Sequence, residues 1–348
     1  MSDSVLGFFH EWIAECGRQY ESVEVVCLKE GKHSLPQNVT VHSLGKEHGS
    51  SKLHRIFLFF KYSISLRKKY DAVFVHMNPE YVILGGFVWR LFKKDIGMWY
   101  AHGAVTLKLR ISAVLVHHLF TSTPQGLRIQ SPKIHIVGQG IDTDRFLPSA
   151  TNNELGTDGS MKLITVSRIS ESKDIACLIE AVALLKKDTV PVSLTIVGEP
   201  LTSKDREYEK YLKKRIEELE IADCIVWEGP VQNTDLPLVL QKHTVFVNAY
   251  KNNSLDKALL EAMAVGLIVV SSNESYVDLI GDTLPLYSNS LSIIHGTPEA
   301  FEDAIKKIAE MPERERIELS ASLRDIVVQG HGLRGLIGRI MSFYSTRV

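Results

Sequence analysis

The sequence predicts an α/β protein of two parallel-sheet domains, and three observations carry this. Strand and helix patterns alternate regularly through the second half, which calls for a parallel sheet with helices on both faces. The chain has 348 residues, 45% of them hydrophobic, enough to bury a core in each of two domains. The charge is divided: residues 1–148 carry 18 Lys and Arg against 12 Asp and Glu, while 149–348 carry 22 against 29. Such asymmetry supports two units with different partners. The expected organisation is 1–148, 149–330 and a terminal stretch, 331–348, whose helical pattern lies over 332–344. The boundary is set near Pro148, because the polar, glycine-containing stretch 151–160 that follows is the most linker-like in the chain.

In the second half, apolar β-branched runs predict strands over 162–166, 192–197, 225–227, 245–248 and 267–270. Helical periodicity fills 175–185, 206–220 and 235–241. Ala258, Leu259, Ala262 and Met263 recur at helical spacing, and Gly266 stands where a helix is usually stopped.

The first half opens with a helix pattern over 7–20, followed by strands at 23–28 and 39–44. An α/β domain normally begins with a strand that feeds its first helix, and 1–6 is too short and polar to supply one. The first domain is therefore expected to lack its opening strand. The stretch 51–70 mixes Lys52, Arg55, Lys61, Arg67, Lys68 and Lys69 with Phe57, Phe59, Phe60 and Tyr62, and contains no acid. Two readings stay open for it: contact with an anionic membrane surface, or a crossover helix with solvated lysines. Strands follow at 71–76 and 96–101, with a helix at 81–92 between them. The second of these strands ends at His102-Gly103, where open sheets place ligand groups. His76, His117 and His118 read as packing or surface residues, the last two within a helical stretch. Strands at 119–123 and 134–137 would complete the first sheet.

Several function classes lose support. Cys16, Cys27, Cys177 and Cys224 are far apart, with no metal-ligand spacing and no disulfide framework. No apolar run is long enough to span a bilayer, so a cytoplasmic protein, peripheral at most, is expected. Neither a P-loop nor a dinucleotide fingerprint occurs, and no nucleic-acid-binding motif accompanies the basic stretch. Asp142 and Asp144 form a DxD, read as turn chemistry rather than a metal site.

Three charged residues stand out. Glu261 is a lone carboxylate on an apolar helix face, either paired with a nearby cation or held for a ligand. Arg168 follows a strand and Lys173 precedes a helix, so both can converge above the sheet edge, as a diphosphate requires.

Five segments in order, GQGIDTDRF at 138–146, VSRISESK at 166–173, TIVGEP at 195–200, WEGPV at 227–231 and LLEAMAVGLIVVSS at 259–272, resemble the donor domain of glycosyltransferase family 4. That family comprises retaining, nucleotide-sugar-dependent enzymes of the GT-B fold. The resemblance implies two Rossmann-like domains facing a cleft, and transfer of a sugar from a nucleotide diphosphate sugar to a glycan or lipid-linked acceptor. It implies neither a cofactor nor a metal. By the same resemblance, Arg168 and Lys173 neutralise the diphosphate, His102 contacts the sugar, and Glu261 holds the ribose hydroxyls. The implied donor-binding set is Gly198, Gly229, Val231, Asn253, Ser254, Leu255, Asp256, Lys257 and Glu261. The sequence departs from the family at Asn253, where a second glutamate is usual. An amide hydrogen-bonds sugar hydroxyls but carries no charge. That substitution keeps two alternatives open, a nucleotide-sugar epimerase or hydrolase of the same fold, and an inactive glycan-binding or scaffold protein.

Overall fold

The computed structural model describes residues 8–149, 159–250 and 254–344. They form two compact units, one of 1–142 with 332–348 and the other of 143–331. The division thus falls between Asp142 and Thr143, six residues before Pro148.

In the first unit the order is α1 (Phe8–Gln19), β1 (Val23–Cys27), β2 (Val39–Ser43), α2 (Lys52–Ser65), β3 (Ala72–His76), α3 (Pro79–Leu91), β4 (Asp95–Trp99), α4 (Leu107–Leu115), β5 (His118–Thr121) and β6 (Ile134–Ile136). All strand pairs are parallel, but they make two sheets rather than one: β1 with β2, and β3-β4-β5-β6. The stretch 1–6, where the opening strand is expected to be missing, lies outside the described residues.

Helices α2, α3 and α4 cover one face of the four-stranded sheet, where Phe59, Val82, Trp89 and Leu109 share a core with Val75, Ile96 and Met98. The other face is covered by α1 and, from the end of the chain, α13 (Leu333–Tyr344). Trp12, Trp99, Phe120, Leu336 and Ile340 pack together there. His76 stacks on Trp99 with rings 5.2 Å apart, and burial pushes its pKa down to about 4, so it is a neutral packing group. His117 and His118 do not lie in a helix as expected. The helix ends at Leu115, and both imidazoles lie at the start of β5 beside buried Asp95, His117 Nδ1 at 2.9 Å and His118 Nε2 at 3.4 Å, the latter without a hydrogen bond among the described residues.

The second unit runs β7 (Met161–Val166), α5 (Ile175–Lys187), β8 (Val192–Val197), α6 (Ser203–Glu218), β9 (Ile225–Gly229), α7 (Leu236–Leu240), β10 (Val245–Asn248), α8 (Lys257–Val265), β11 (Ile268–Ser271), α9 (Glu274–Thr283), α10 (Ser288–Leu291), α11 (Pro298–Glu310) and α12 (Glu313–His331), after which α13 returns to the first unit. Its sheet is parallel throughout, in the order β11-β10-β7-β8-β9. The three inner strands β10, β7 and β8 are flanked on both sides, and β10 and β11 are buried along their whole length, as their continuous apolar sequences require. Strand order reverses direction at β7, between β8 on one side and β10 on the other, so a crevice opens outside the carboxyl ends of these strands.

Candidate nucleotide-sugar site at the carboxyl edge of the second sheet

Four loops leave the carboxyl edge of the second sheet, after β7, β8, β9 and β10, and they hold most of the candidate residues. Gly198 ends β8 with φ at +140°, and a Cβ there would stand 1.9 Å from the carbonyl oxygen of Ser167. Only glycine permits that approach. Backbone bonds from Gly198 N to Gly229 O (2.9 Å) and from Ile169 N to Glu199 O (3.2 Å) join the three loops after β7, β8 and β9. Gly229 has φ at +75° with open space around its missing side chain, and partly buried Val231 follows two residues on.

The loop after β10 is fixed at both ends by amides. Buried Asn273, which caps α9, donates to the carbonyl of Ser254 at 3.0 Å, and Asn248 Nδ2 donates to Asp256 Oδ2 at 3.3 Å. Asp256 is the N-cap of α8: its Oδ1 accepts from Ala258 N at 3.1 Å. Its other oxygen stands 3.1 Å from Lys173 Nζ, and the same ammonium lies 3.7 Å from the centre of the Tyr250 ring. Leu255 is buried beneath this loop. Asn253 lies outside the described residues.

Glu261 is 3% exposed on α8, one turn in from the helix start. Lys257 Nζ stands 3.2 Å from its Oε1, so a paired carboxylate is what the structure contains. The pairing is incomplete, because that oxygen makes no aligned hydrogen bond among the described residues. Burial raises the pKa of Glu261, and the charges of Lys257 and Arg145 pull it back. A buried carboxylate with spare acceptor capacity fits hydroxyl donors such as those of a ribose.

Lys173, Asp256, Lys257 and Glu261 therefore gather around the first turn of α8. Arg168 is held elsewhere on the edge, its Nε 3.9 Å from Oδ2 of Asp205, the residue that completes the capping box of α6. The two cations thus have separate acids. His102 belongs to the first unit, exposed in the loop after β4, with its amide bonded to Gly126 O at 3.0 Å. No group of three or more His, Cys, Asp or Glu suited to a metal occurs among the described residues.

Three residues that sequence reasoning left without a role belong to this neighbourhood. Arg145 bonds Asn233 Oδ1 at 2.6 Å and contributes charge toward Glu261, while Asn248 and Asn273 hold the α8 loop. Arg145 was visible as a cation inside the 138–146 segment. Asn248 was visible as a polar residue closing an apolar strand run, and Asn273 as a helix-capping type shortly after another.

The family model for glycosyl transferases group 1 matches residues 149–322. The alpha-monoglucosyldiacylglycerol synthase of Streptococcus pneumoniae is 25% identical over 178 residues, 51% of this chain and 38% of that protein. The GDP-Man:Man(3)GlcNAc(2)-PP-Dol alpha-1,2-mannosyltransferase of Caenorhabditis elegans is 27% identical over 185 residues, 51% of this chain and 39% of that one. The aligned part thus spans about two fifths of these curated relatives. Among solved structures, Anabaena Alr3699/HepE in complex with UDP has a TM-score of 0.77 at 15% identity, covering 97% of this chain and 96% of its own. That likeness identifies the fold as GT-B, with two Rossmann-like domains. A matched model over half the chain, laid on the domain whose sheet edge carries Lys173, Asp256 and Glu261, leads to one conclusion: this protein belongs to the glycosyl transferases group 1 family.

Proposed function

We propose that the protein transfers a sugar from a nucleoside diphosphate sugar to a glycan or lipid-linked acceptor, with retention of anomeric configuration. The observation that carries this is Glu261, a buried carboxylate at the start of α8 whose Oε1 lacks an aligned hydrogen bond among the described residues. Ribose hydroxyls would supply what it lacks. Arg168 and Lys173 meet the diphosphate, and Gly229 and Val231 offer backbone to the base. The α8 start contributes N–H groups and the positive end of its dipole.

In the reaction, the bond between the anomeric carbon and the diphosphate oxygen breaks, and its electron pair leaves with the diphosphate. The acceptor hydroxyl attacks the anomeric carbon, and its proton passes to the leaving phosphate oxygen. Charge develops on that oxygen, where fixed cations stabilise it most. No metal or cofactor enters this scheme, and turnover undiminished by a chelator is its expected consequence. On the acceptor side, the basic stretch 51–70 supports peripheral contact with an anionic membrane, and no described helix is long and apolar enough to cross one.

The test is release of nucleoside diphosphate from a panel of nucleotide sugars, with and without glycan and lipid-linked acceptors. Acceptor-dependent release that is lost in Glu261→Ala supports transfer. Acceptor-independent consumption of the donor points to an epimerase or hydrolase, and release from no donor sinks the enzyme reading.

A further inference from the structure

The outward sides of α2, α3 and α4 are not polar, although they form the solvent layer of the first unit. On α3, Phe87 and Leu91 lie one turn apart and are 75% and 69% exposed. On α4, Leu107, Ile111 and Val114 recur at i, i+4 and i+7, with Leu107 at 73% and Val114 at 72%. The two helices are held as a pair: Lys108 bonds Glu80 at 2.7 Å near their starts, and Arg90 bonds the carbonyls of Leu115 (2.7 Å) and Val114 (3.2 Å) near their ends. Helix α2 beside them exposes Phe57, and its flanks are cationic. Residues 51–116 hold eleven Lys and Arg against three acids. Of those acids, Glu80 is bonded to Lys108, Asp95 is buried against His117, and Asp71 stands 3.9 Å from Lys94.

Exposed apolar rows of this kind mark a binding face. Protein interfaces are depleted of lysine at their cores, whereas surfaces that lie in the lipid headgroup region combine large apolar side chains with Lys and Arg. We infer that the α2–α3–α4 face of the first unit docks on an anionic lipid bilayer, the rows of α3 and α4 entering the headgroup boundary and the cations of α2 and of the turn after it meeting lipid phosphates. This rests on the membrane reading of 51–70 and moves the inserting element to α3 and α4, which the basic stretch does not include.

The experiment is co-sedimentation of the full chain with vesicles of phosphatidylcholine alone and of phosphatidylcholine with phosphatidylglycerol, at low and high salt. Binding is expected to the anionic vesicles and to weaken with salt. Phe87→Ser with Val114→Ser should reduce it at least about tenfold, since each removes a side chain that would be buried in lipid. Lys61→Glu with Lys68→Glu should do likewise and flatten the salt dependence. All four side chains are exposed, and an unchanged urea midpoint verifies that the variants fold. Failure to sediment with anionic vesicles, or wild-type binding by Phe87→Ser with Val114→Ser, overturns the inference. So does a dimer in solution that the same two substitutions convert to monomer, because a second copy would then own the face. Vesicle binding is read without nucleotide sugar, so its failure leaves the transfer reading intact. Conversely, loss of nucleotide turnover in a Glu261→Gln protein that still binds vesicles leaves the docking face intact.

Discussion

Lys173 Nζ lies 3.1 Å from Oδ2 of Asp256, so a loop after β7 is tied to the residue that caps α8, 83 positions away. One carboxylate therefore both starts the helix and positions a cation at the sheet edge.

These two duties separate by substitution. Asp256→Asn keeps a good capping group and should stay within about 1 kcal/mol of wild type. Asp256→Ala removes the cap and should cost a further ~1 kcal/mol in urea unfolding. If Asn proves as damaging as Ala, the ion pair rather than the cap governs the start of α8.

Two glycines of the site should respond differently to alanine. Gly198→Ala would drive a Cβ to 1.9 Å from the Ser167 carbonyl, and only a shift of the Ser167–Arg168 turn relieves it. A loss of about 3 kcal/mol or more is expected, together with weaker nucleotide binding. Gly229→Ala meets open space and has only its positive φ to overcome, so about 1 kcal/mol is expected. Equal losses from the two would contradict the close approach at Gly198.

Glu261 sets a pH dependence of known sign. Its pKa is raised in the folded protein by burial, so above the ordinary value of 4.5 the native state binds more protons than the unfolded one. Stability should therefore fall as pH rises through the interval between the unfolded and folded pKa values. Glu261→Gln should remove that slope and leave the protein as stable at neutral pH, or more so. The measurement is urea midpoint against pH for the two proteins.

His76 acts in the opposite direction. Its folded pKa of about 4 lies below the ordinary 6.5, so the unfolded chain takes up the proton first. Stability should decline as pH falls from 6.5 toward 4, by up to about 3 kcal/mol, and flatten below. His76→Phe, which retains an aromatic ring against Trp99, should show a shallower acid decline.

How much of this was legible beforehand differs between the two units. In the second, continuous apolar strands bounded by glycine and charged helices made the βα order readable, and the buried acid at Glu261 announced itself by its neighbours. What periodicity does not encode is where side chains meet across the fold: Lys173 goes to Asp256, while Arg168 goes to Asp205. In the first unit, the split into two sheets is a matter of which strand edges find each other, which no local pattern specifies. His117 and His118 were misplaced for a similar reason, since their neighbour is buried Asp95, more than twenty positions earlier. The apolar rows of α3 and α4 are set apart from core residues only by their exposure, which sequence does not carry.

The central claim is that the start of α8 holds a nucleoside diphosphate. Its most direct test is calorimetric titration of the protein with uridine, guanosine and adenosine diphosphates, repeated for Glu261→Gln and Lys173→Ala. One diphosphate should bind at one per chain, weakened about tenfold or more by each substitution, as expected for charge-assisted hydrogen bonds worth about 1.5–3 kcal/mol. Binding of none of the three, or binding that both variants leave unchanged, would contradict it.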